Sequence, residues 1–215
     1  MIQQSWIDDL ITNSKRVLEA YVSTLNYGLE EICMDEVINH PKFATQFGSA
    51  GKHHAFPGGL LVHTAEVVTY AAEMAKMFEG VCDEDVLITA AVFHDLMKIN
   101  EYELVQDSSP GHLVTDVYGR PSTHIGKTEY RNLVRHVAGS HAEFIRAIVD
   151  YDIPDGIVLG IEHAILAHHG RQEYGSPTEP KTVEARILHY ADMFSVEHGP
   201  ASKVDYRQVL PARVN

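Results

Sequence analysis

Apolar residues recur at intervals near 3.6 along most of this chain, the spacing that places them on one face of an α-helix. Strand-like alternation is scarce, and its best instance is "HLVTDVYG" at 112–119, which predicts one arm of a β-hairpin. That stretch lies inside a long irregular region, 100–129, rich in Ser, Gly, Pro and Asp. The pattern therefore predicts an all-α bundle with one long irregular loop, and its helices cover residues 5–26, 59–79, 84–98, 130–149, 155–169 and 181–197.

Length and composition fit one compact domain, because the chain has 215 residues, of which 45% are apolar and 22% charged. Within it we expect an N-terminal helical extension over 1–34 and the main domain over 35–215. The net charge of −13 argues against a broad nucleic-acid-binding face, which would need clustered Lys and Arg.

The expected location is a reducing cytoplasm. The only cysteines, Cys33 and Cys82, are far apart and form no disulfide framework or thiolate zinc motif. The first residues lack the pattern of a signal peptide. No apolar run approaches the roughly 20 residues that span a bilayer, so no membrane association is expected.

Histidines and aspartates lie on the apolar faces of several predicted helices. His63 shares its face with Val67, and His94 follows Ala90 by one helical turn with Asp95 directly after it. These positions normally point into the core. A histidine there can be satisfied by a hydrogen bond, but a buried carboxylate is costly unless it is paired or bound to a cation.

The later helices repeat the pattern. Asp192 follows Leu188 by four residues, and a helix over 130–149 would place His136 on the face of Leu133. Imidazole and carboxylate groups that converge from several helices form metal sites in bundle cores. Without thiolate, such a set suits Mn, Fe, Co, Ni, Zn or Mg, so we expect one or two divalent ions. The same inward face of the helix over 155–169 carries His168 and His169.

The order of these residues resembles the H…HD…D signature of the HD-domain metal-dependent phosphohydrolases. The likeness is closest to the HD domain of the YhaM-type 3′-5′ exoribonucleases, and it runs from about residue 35 to 198. The resemblance identifies the main domain, 35–215, as an HD domain. Its motifs are "HHAFPGGLLVHT", "FHDLMKINEY", "NLVRHV", "ILAHHGRQEYGSP" and "EARILHYAD".

The resemblance implies a pair of metal ions with Asp95 as the bridge between them. For the middle ligand, "NLVRHV" favours His136, with His141 and His124 as alternatives; the family's glycine before that histidine is Arg135 here. The first metal would be held by His63, His94, Asp95 and Asp192, and the second by Asp95, His136, His168 and His169.

Catalytic roles follow from the same likeness. Asp95 and Lys98 would be the catalytic pair, because Lys98 matches the family's lysine that contacts phosphate and lies one turn on from the ligands. Arg171 would contact phosphate, and the other neighbours of the site would orient ligands or line its mouth. Those neighbours are His53, His54, His141 and His189.

Four functions remain open at this point. The first is a phosphohydrolase that cleaves a phosphate ester of a nucleotide or very short oligonucleotide through a metal-activated hydroxide. The family's nucleic-acid-binding barrel has no counterpart in residues 1–34, so processive RNA degradation is not expected, although 3′-5′ exonuclease action on single strands is the main alternative. A di-iron oxygenase shares the ligand set, and a non-catalytic binding domain would have a damaged one. A homo-oligomer is compatible with all four.

Overall fold

The computed structural model describes residues 4–106 and 123–204. These residues form eight α-helices and one antiparallel hairpin, with short 3₁₀ and π turns between them. The helices are α1 (Gln4–Val22), α2 (Leu29–Cys33), α3 (Gly59–Ala75), α4 (Glu84–Phe93), α5 (Glu129–Leu133), α6 (His136–Ala147), α7 (Asp155–Ala167) and α8 (Val183–His198). The strands are β1 (Tyr102–Gln106) and β2 (Thr123–Lys127). The predicted helical bundle with one hairpin is confirmed.

Helix α3 is the centre of the bundle and packs against α1, α4 and α8, while α7 packs against α4 and α8. The main core is formed by fully buried Leu60 and Leu61 of α3, Phe93 of α4, Phe144 of α6 and Leu188 of α8. Burial of one such side chain stabilises the fold by about 1.5–3 kcal/mol. A smaller apolar cluster lies beneath the hairpin. The helices pack together because each one buries an apolar face in this core.

Two glycines allow the chain to turn into α3. Gly58 has φ +87°, in the left-handed region that favours glycine. A Cβ on Gly59 would collide with the carbonyl oxygen of His54. That oxygen is held in place because it accepts a hydrogen bond from Gly48 N at 2.9 Å. The sequence predicts this tight turn, and it fixes where His63 enters the bundle.

The predicted helix over 84–98 ends early. Asp83 caps its start by accepting from Val86 N at 3.3 Å, but the α-helix stops at Phe93. Asp95 has φ −112° and ψ 6°, outside the helical range, and a 3₁₀ turn follows over Leu96–Asn100. His94 and Asp95 therefore lie at the break between two helical segments.

The predicted helix over 130–149 is wrong as a continuous element. Arg135 has φ +65° and separates α5 from α6, in the left-handed region that favours glycine. The predicted face shared by His136 and Leu133 is wrong for the same reason: Leu133 is 74% exposed, whereas His136 is buried.

The described hairpin joins Tyr102–Gln106 to Thr123–Lys127, and the strand predicted at 112–119 stays a prediction. Tyr102 pairs with Lys127 and Gln106 with Thr123 in register, so its arms flank the stretch 112–119, which lies outside the described residues. The remaining predicted helices agree within a few residues, with α1 ending at Val22. The division at residue 34/35 stays a prediction; α2 continues there directly into a π turn over Met34–Ile38. No helix of the described residues is long and apolar enough to cross a membrane.

Candidate metal centre

Two groups of ligand-type side chains meet in the middle of the bundle, with Asp95 between them. We call them cluster 1, which is His63, His94 and Asp192, and cluster 2, which is His136, His168 and His169. Within cluster 1, and within cluster 2 together with Asp95, the ligand atoms lie within 4.8 Å of one another. The structure thus brings together all seven side chains predicted to bind metal.

Asp95 presents one carboxylate oxygen to each cluster. Its Oδ2 lies 3.2 Å from His63 Nε2 and 3.4 Å from His94 Nε2. Its Oδ1 lies 3.3 Å from His136 Nε2 and 3.9 Å from His168 Nε2. The residue is 1% exposed. A carboxylate in this position can bridge two cations, as a monodentate imidazole cannot.

Backbone carbonyls orient three of the imidazoles. Nδ1 of His94 lies 2.7 Å from the carbonyl oxygen of Ala91, and Nδ1 of His168 lies 2.7 Å from that of Ile165. Nδ1 of His169 lies 2.9 Å from the Tyr174 oxygen. Because a carbonyl only accepts, Nδ1 carries the proton in each ring. The Nε2 lone pair of the neutral ring is then free and directed inward.

A carboxylate and a serine hydroxyl orient the other two imidazoles. Nδ1 of His136 donates to Glu101 Oε1 at 3.0 Å, and the His136 backbone N–H donates to the same oxygen at 2.6 Å. Nδ1 of His63 lies 2.9 Å from Ser195 Oγ, which donates onward to Glu66 Oε2 at 2.7 Å. The serine hydroxyl therefore accepts from His63. All five rings have Nδ1 engaged on the outer side.

Several of the inner atoms, by contrast, are poorly paired. Nε2 of His63 lies 3.3 Å from Nε2 of His94, and Nε2 of His136 lies 3.2 Å from Nε2 of His169. Oδ1 of Asp95 and Nε2 of His168 are buried without a hydrogen-bond partner among the described residues. Buried polar atoms are rarely left in this state, and a bound cation satisfies all of them at once. The nitrogen and oxygen donor set, without sulfur, fits Mn, Fe, Co, Ni or Zn.

Charge in the centre is balanced by protons and one lysine. Burial raises the pKa of the Asp95 carboxyl, but the charge of Lys98 together with the neighbouring histidines outweighs burial and holds that pKa well below its usual value. Burial lowers the pKa of His63, but hydrogen bonds to Asp192 and Asp95 raise it to about 9. A divalent cation bound by the same atoms would take the place of the His63 proton.

Two of the three imidazoles of cluster 2, those of His168 and His169, stay neutral. Burial lowers the pKa of His168 well below its usual value, and neighbouring His169 lowers it further. Burial, and then the nearby His136 ring, lower the pKa of His169 to about 4. Neutral rings are the form that binds metal, so cluster 2 is prepared for a cation near neutral pH.

Lys98 lies inside the centre and not on a solvated helix face. It is 6% exposed, and its Nζ lies 2.5 Å from Asp95 Oδ2. Burial lowers the pKa of Lys98, but the negative groups around it, with Asp95 the strongest, together outweigh burial, so that pKa is raised and the amine is charged. The two predicted catalytic residues are therefore in direct contact.

Three of the predicted neighbours contact the two clusters: His53 and His54 lie beside cluster 1 and His189 beside cluster 2. Rings of His53 and His54 lie 5.3 and 5.2 Å from the His63 ring, and His54 Nε2 lies 3.1 Å from Glu66 Oε2. His189 supports cluster 2 from behind, since its Nδ1 donates to the His168 carbonyl oxygen at 2.7 Å.

The remaining predicted residues lie away from the clusters. His141 pairs at the surface with Glu162 at 2.8 Å, so it does not join cluster 2. Arg171 is exposed and lines a separate surface cavity. His124 lies outside the residues whose side chains are described. Of the three candidates for the middle ligand, His136 is the one found beside Asp95.

Four supporting residues escaped the sequence analysis: Glu66, Ser195, Glu101 and Arg131. Two of them carry a usable signal, because Glu66 lies three residues after a ligand of α3 and Ser195 three residues after a ligand of α8. Glu66 resembles a solvated acid in the sequence, yet its side chain is 12% exposed. Glu101 has no such spacing, because a helix break separates it from every ligand.

A helical bundle whose core holds two His/Asp clusters joined by one carboxylate is typical of enzymes that bind metal ions between their helices. The sequence profile of the HD domain matches residues 60–197. The chain therefore belongs to the HD-domain family. This confirms the expectation drawn from the H…HD…D signature.

Curated relatives narrow the position within the family. The chain is 32% identical over 155 residues to the 3'-5' exoribonuclease YhaM of Bacillus velezensis, covering 70% of this chain and 44% of that protein. It is 31% identical over 168 residues to the 3'-5' exoribonuclease YhaM of Bacillus subtilis, covering 78% and 48%. The chain thus spans about half the length of these relatives. No solved structure matches. The predicted kinship with HD-superfamily phosphohydrolases of the YhaM type is confirmed.

Proposed function

We propose that this protein is a divalent-metal-dependent phosphohydrolase that cleaves a phosphate ester of a nucleotide or very short oligonucleotide. One observation carries the proposal: each of the five cluster imidazoles has its Nδ1 engaged by an outer acceptor, which directs Nε2 toward the two oxygens of Asp95. This arrangement costs free energy unless cations occupy the centre.

The assignment of ligands follows from the clusters. Cluster 1 with Asp95 Oδ2 would hold one ion, and cluster 2 with Asp95 Oδ1 would hold the other. Bound there, divalent ions supply Lewis acidity toward a phosphoryl oxygen and lower the pKa of a water nucleophile toward about 7. The protein's own contribution is to fix the donors in place before substrate arrives, so little reorganisation is needed.

Lys98 would serve the phosphate. Its ammonium is charged, buried and 2.5 Å from Asp95 Oδ2. A phosphate that enters beside Asp95 could exchange this contact for one to a non-bridging oxygen, where negative charge grows in the transition state. Lys98→Met should then lower kcat more than it raises KM.

The relatives favour exonuclease action as the second candidate. Both are named 3'-5' exoribonucleases, and they share most of this chain at about 31% identity. This candidate predicts that mononucleotides are released one at a time from a short single strand, with rates that fall steeply as salt rises. The net charge of −13 limits how long a strand the surface can hold. Short single-stranded RNA is therefore the nucleic acid to test.

Location and redox state are inferred from the cysteines. Cys33 is buried and Cys82 half-buried, and both are free thiols. Burial raises the pKa of each thiol to about 12, so neither is a reactive thiolate. We infer a reducing cytoplasmic setting from this.

A substrate and metal screen tests the proposal. Nucleotides, cyclic nucleotides and RNA dimers to hexamers are incubated with Mn²⁺, Ni²⁺, Co²⁺ or Mg²⁺, and the released phosphate esters are quantified. His94→Ala and Asp95→Ala should abolish hydrolysis. His141→Ala is the matched control, since it removes a histidine that pairs with Glu162 outside the clusters. Activity retained in both cluster variants would refute the site.

The same preparations test the oxygenase alternative. Imidazole and carboxylate ligands accept iron as well as manganese or nickel. Stoichiometric iron together with substrate-dependent oxygen uptake, and no hydrolysis, would replace the phosphohydrolase with an oxygenase.

A further inference from the structure

A surface cavity of about 810 Å³ lies beside the loop that follows His168 and His169, on the outer side of cluster 2. Its volume falls in the range of about 300–1,000 Å³ typical of ligand sites. The walls come from the loop after α7 and from the first turns of α8. Three basic side chains and one exposed aromatic ring line the cavity, together with two residues next to the metal ligands. These are Arg171, Lys181 and Arg186, then Tyr190, and finally His189 and Gly170.

Among the described residues, the three cations of this cavity have no acidic partner. Arg171, Lys181 and Arg186 are exposed, and none forms an ion pair with any of the described residues. The one side-chain bond among them runs from Arg186 Nε to the Pro180 carbonyl oxygen at 3.4 Å. In a chain with a net charge of −13, three unpaired cations in one cavity mark a site for an anion.

The cavity also contains two acids and an aromatic ring. Glu173 and Glu179 line it, so with neutral histidine the lining carries three positive and two negative charges. Tyr190 is 57% exposed and its ring lies 5.2 Å from the His189 ring. A groove that combines basic side chains with an exposed aromatic ring is typical of single-strand binding, because phosphates pair with the cations and bases stack on the ring.

The cavity is built on the same segment as cluster 2. His189, which lines the cavity, donates from Nδ1 to the His168 carbonyl oxygen. Gly170 has φ +83°, and a Cβ there would meet the His189 ring at 2.5 Å, so the ligand loop and the cavity wall are in close contact. On the other side, His169 donates to the carbonyl oxygen of Tyr174. An anion in the cavity would therefore lie next to the residues that hold the second metal.

We propose that this cavity, the Arg171 groove, binds backbone phosphates of a single-stranded oligonucleotide whose terminal phosphodiester lies at the metal centre. The inference rests on the proposed function and deepens it, because it makes an oligonucleotide and not a mononucleotide the preferred substrate. Arg171, Lys181 and Arg186 contact successive phosphates, and Tyr190 stacks on a base.

Binding without turnover tests the groove separately from catalysis. The dissociation constant of a fluorescein-labelled RNA hexamer is measured by anisotropy in the presence of chelator. Lys181→Ala/Arg186→Ala is compared with Lys76→Ala/Arg146→Ala, which removes the same charge from exposed side chains paired with Glu73 and Glu143. Loss of two phosphate contacts should weaken binding about tenfold at low salt and reduce the slope of log K against log salt by about 1.4. The control pair should change binding less than twofold.

The ring is tested in the same way. Tyr190→Ala should weaken hexamer binding, since stacking on an aromatic ring contributes on the order of tenfold per base. Tyr190→Phe keeps the ring and should restore wild-type binding. Equal losses of hexamer affinity in Tyr190→Ala and Tyr190→Phe would show that the hydroxyl and not the ring is needed. That result would overturn the stacking assignment.

Length dependence links the groove to turnover. In the wild type, kcat/KM should rise from dimer to hexamer, and the ratio of hexamer to dimer should fall in the groove variant. Equal hexamer affinity in Lys181→Ala/Arg186→Ala and in Lys76→Ala/Arg146→Ala would overturn the inference. Tighter binding of hexaglutamate, an anion without phosphates or bases, than of the RNA hexamer would overturn it as well. If no metal supports hydrolysis but the groove variant still loses binding, the groove stands and the proposed hydrolase fails.

Discussion

Glu101 offers the sharpest prediction, because one buried carboxylate holds one ligand of cluster 2 by two bonds. The residue is fully buried and accepts from His136 N at 2.6 Å, from His136 Nδ1 at 3.0 Å and from Arg131 NH1 at 2.6 Å. In Glu101→Gln, one acceptor oxygen becomes an NH₂ donor that faces other donors. Charged hydrogen bonds contribute about 1.5–3 kcal/mol each. Because the Arg131 side chain is 27% exposed and can turn to water, we expect a net loss of about 2 kcal/mol.

Metal affinity is the more specific readout of the same change. Removing a partner that orients a metal-bound histidine lowers affinity about 10–100-fold. We therefore expect one of the two Mn²⁺ affinities, measured by competition with a fluorescent chelator, to fall by that factor in Glu101→Gln. Glu103→Gln is the control, since it makes the same chemical change at an exposed position of β1. If Glu101→Gln has a native circular dichroism spectrum and Mn²⁺ affinity within twofold of the wild type, Glu101 does not position the ligand.

Three further predictions concern the whole centre. Metal at 100 times its dissociation constant should stabilise the fold by about 2.7 kcal/mol, read as a higher Tm that chelator reverses; an unchanged Tm would contradict binding. After chelation, Tm should be highest near pH 6.5. The pKa of His63 is raised to about 9, so its contribution to stability is lost as pH rises from 6.5 through 9. The pKa of His169 is lowered to about 4, so its contribution to stability is lost as pH falls from 6.5 to 4. A Tm that keeps rising from pH 6.5 to 9 would refute the His63 assignment, and a Tm that falls from pH 4 to 6.5 would refute the His169 assignment. Ser195→Ala, which removes the acceptor for His63 Nδ1, should weaken cluster 1 about tenfold while Ser195→Thr retains affinity.

The sequence predicts most of the ligands because they follow helical spacing. His63 and Asp192 each lie within a long helix whose inward face is set by apolar neighbours. In such a helix, position along the chain determines which way a side chain points. His94 lies at the end of α4 and still keeps the direction of the turn before it. For these residues, local periodicity is sufficient information.

His136 shows where that information runs out. Its direction depends on the break at Arg135, where a non-glycine residue has φ +65°, and no apolar period signals such a break. Its partner Glu101 is 35 residues away in the chain and reaches it only after the 3₁₀ turn and the hairpin are formed. Contacts of this kind arise from tertiary packing, so a pattern read in a window of one helix cannot predict them.

The ends of two helices explain why the centre forms where it does. His94 and His168 are the first residues after α4 and α7, and each donates from Nδ1 to the carbonyl oxygen three residues earlier, that of Ala91 or Ile165. Carbonyls in the last turn of a helix have no N–H from a following turn, so they need another donor. The histidine supplies that donor, and its ring is thereby fixed with Nε2 directed past the helix end. One hydrogen bond thus caps the helix and prepares a ligand, and because both helices end at the same level of the bundle, the two prepared nitrogens lie on either side of Asp95.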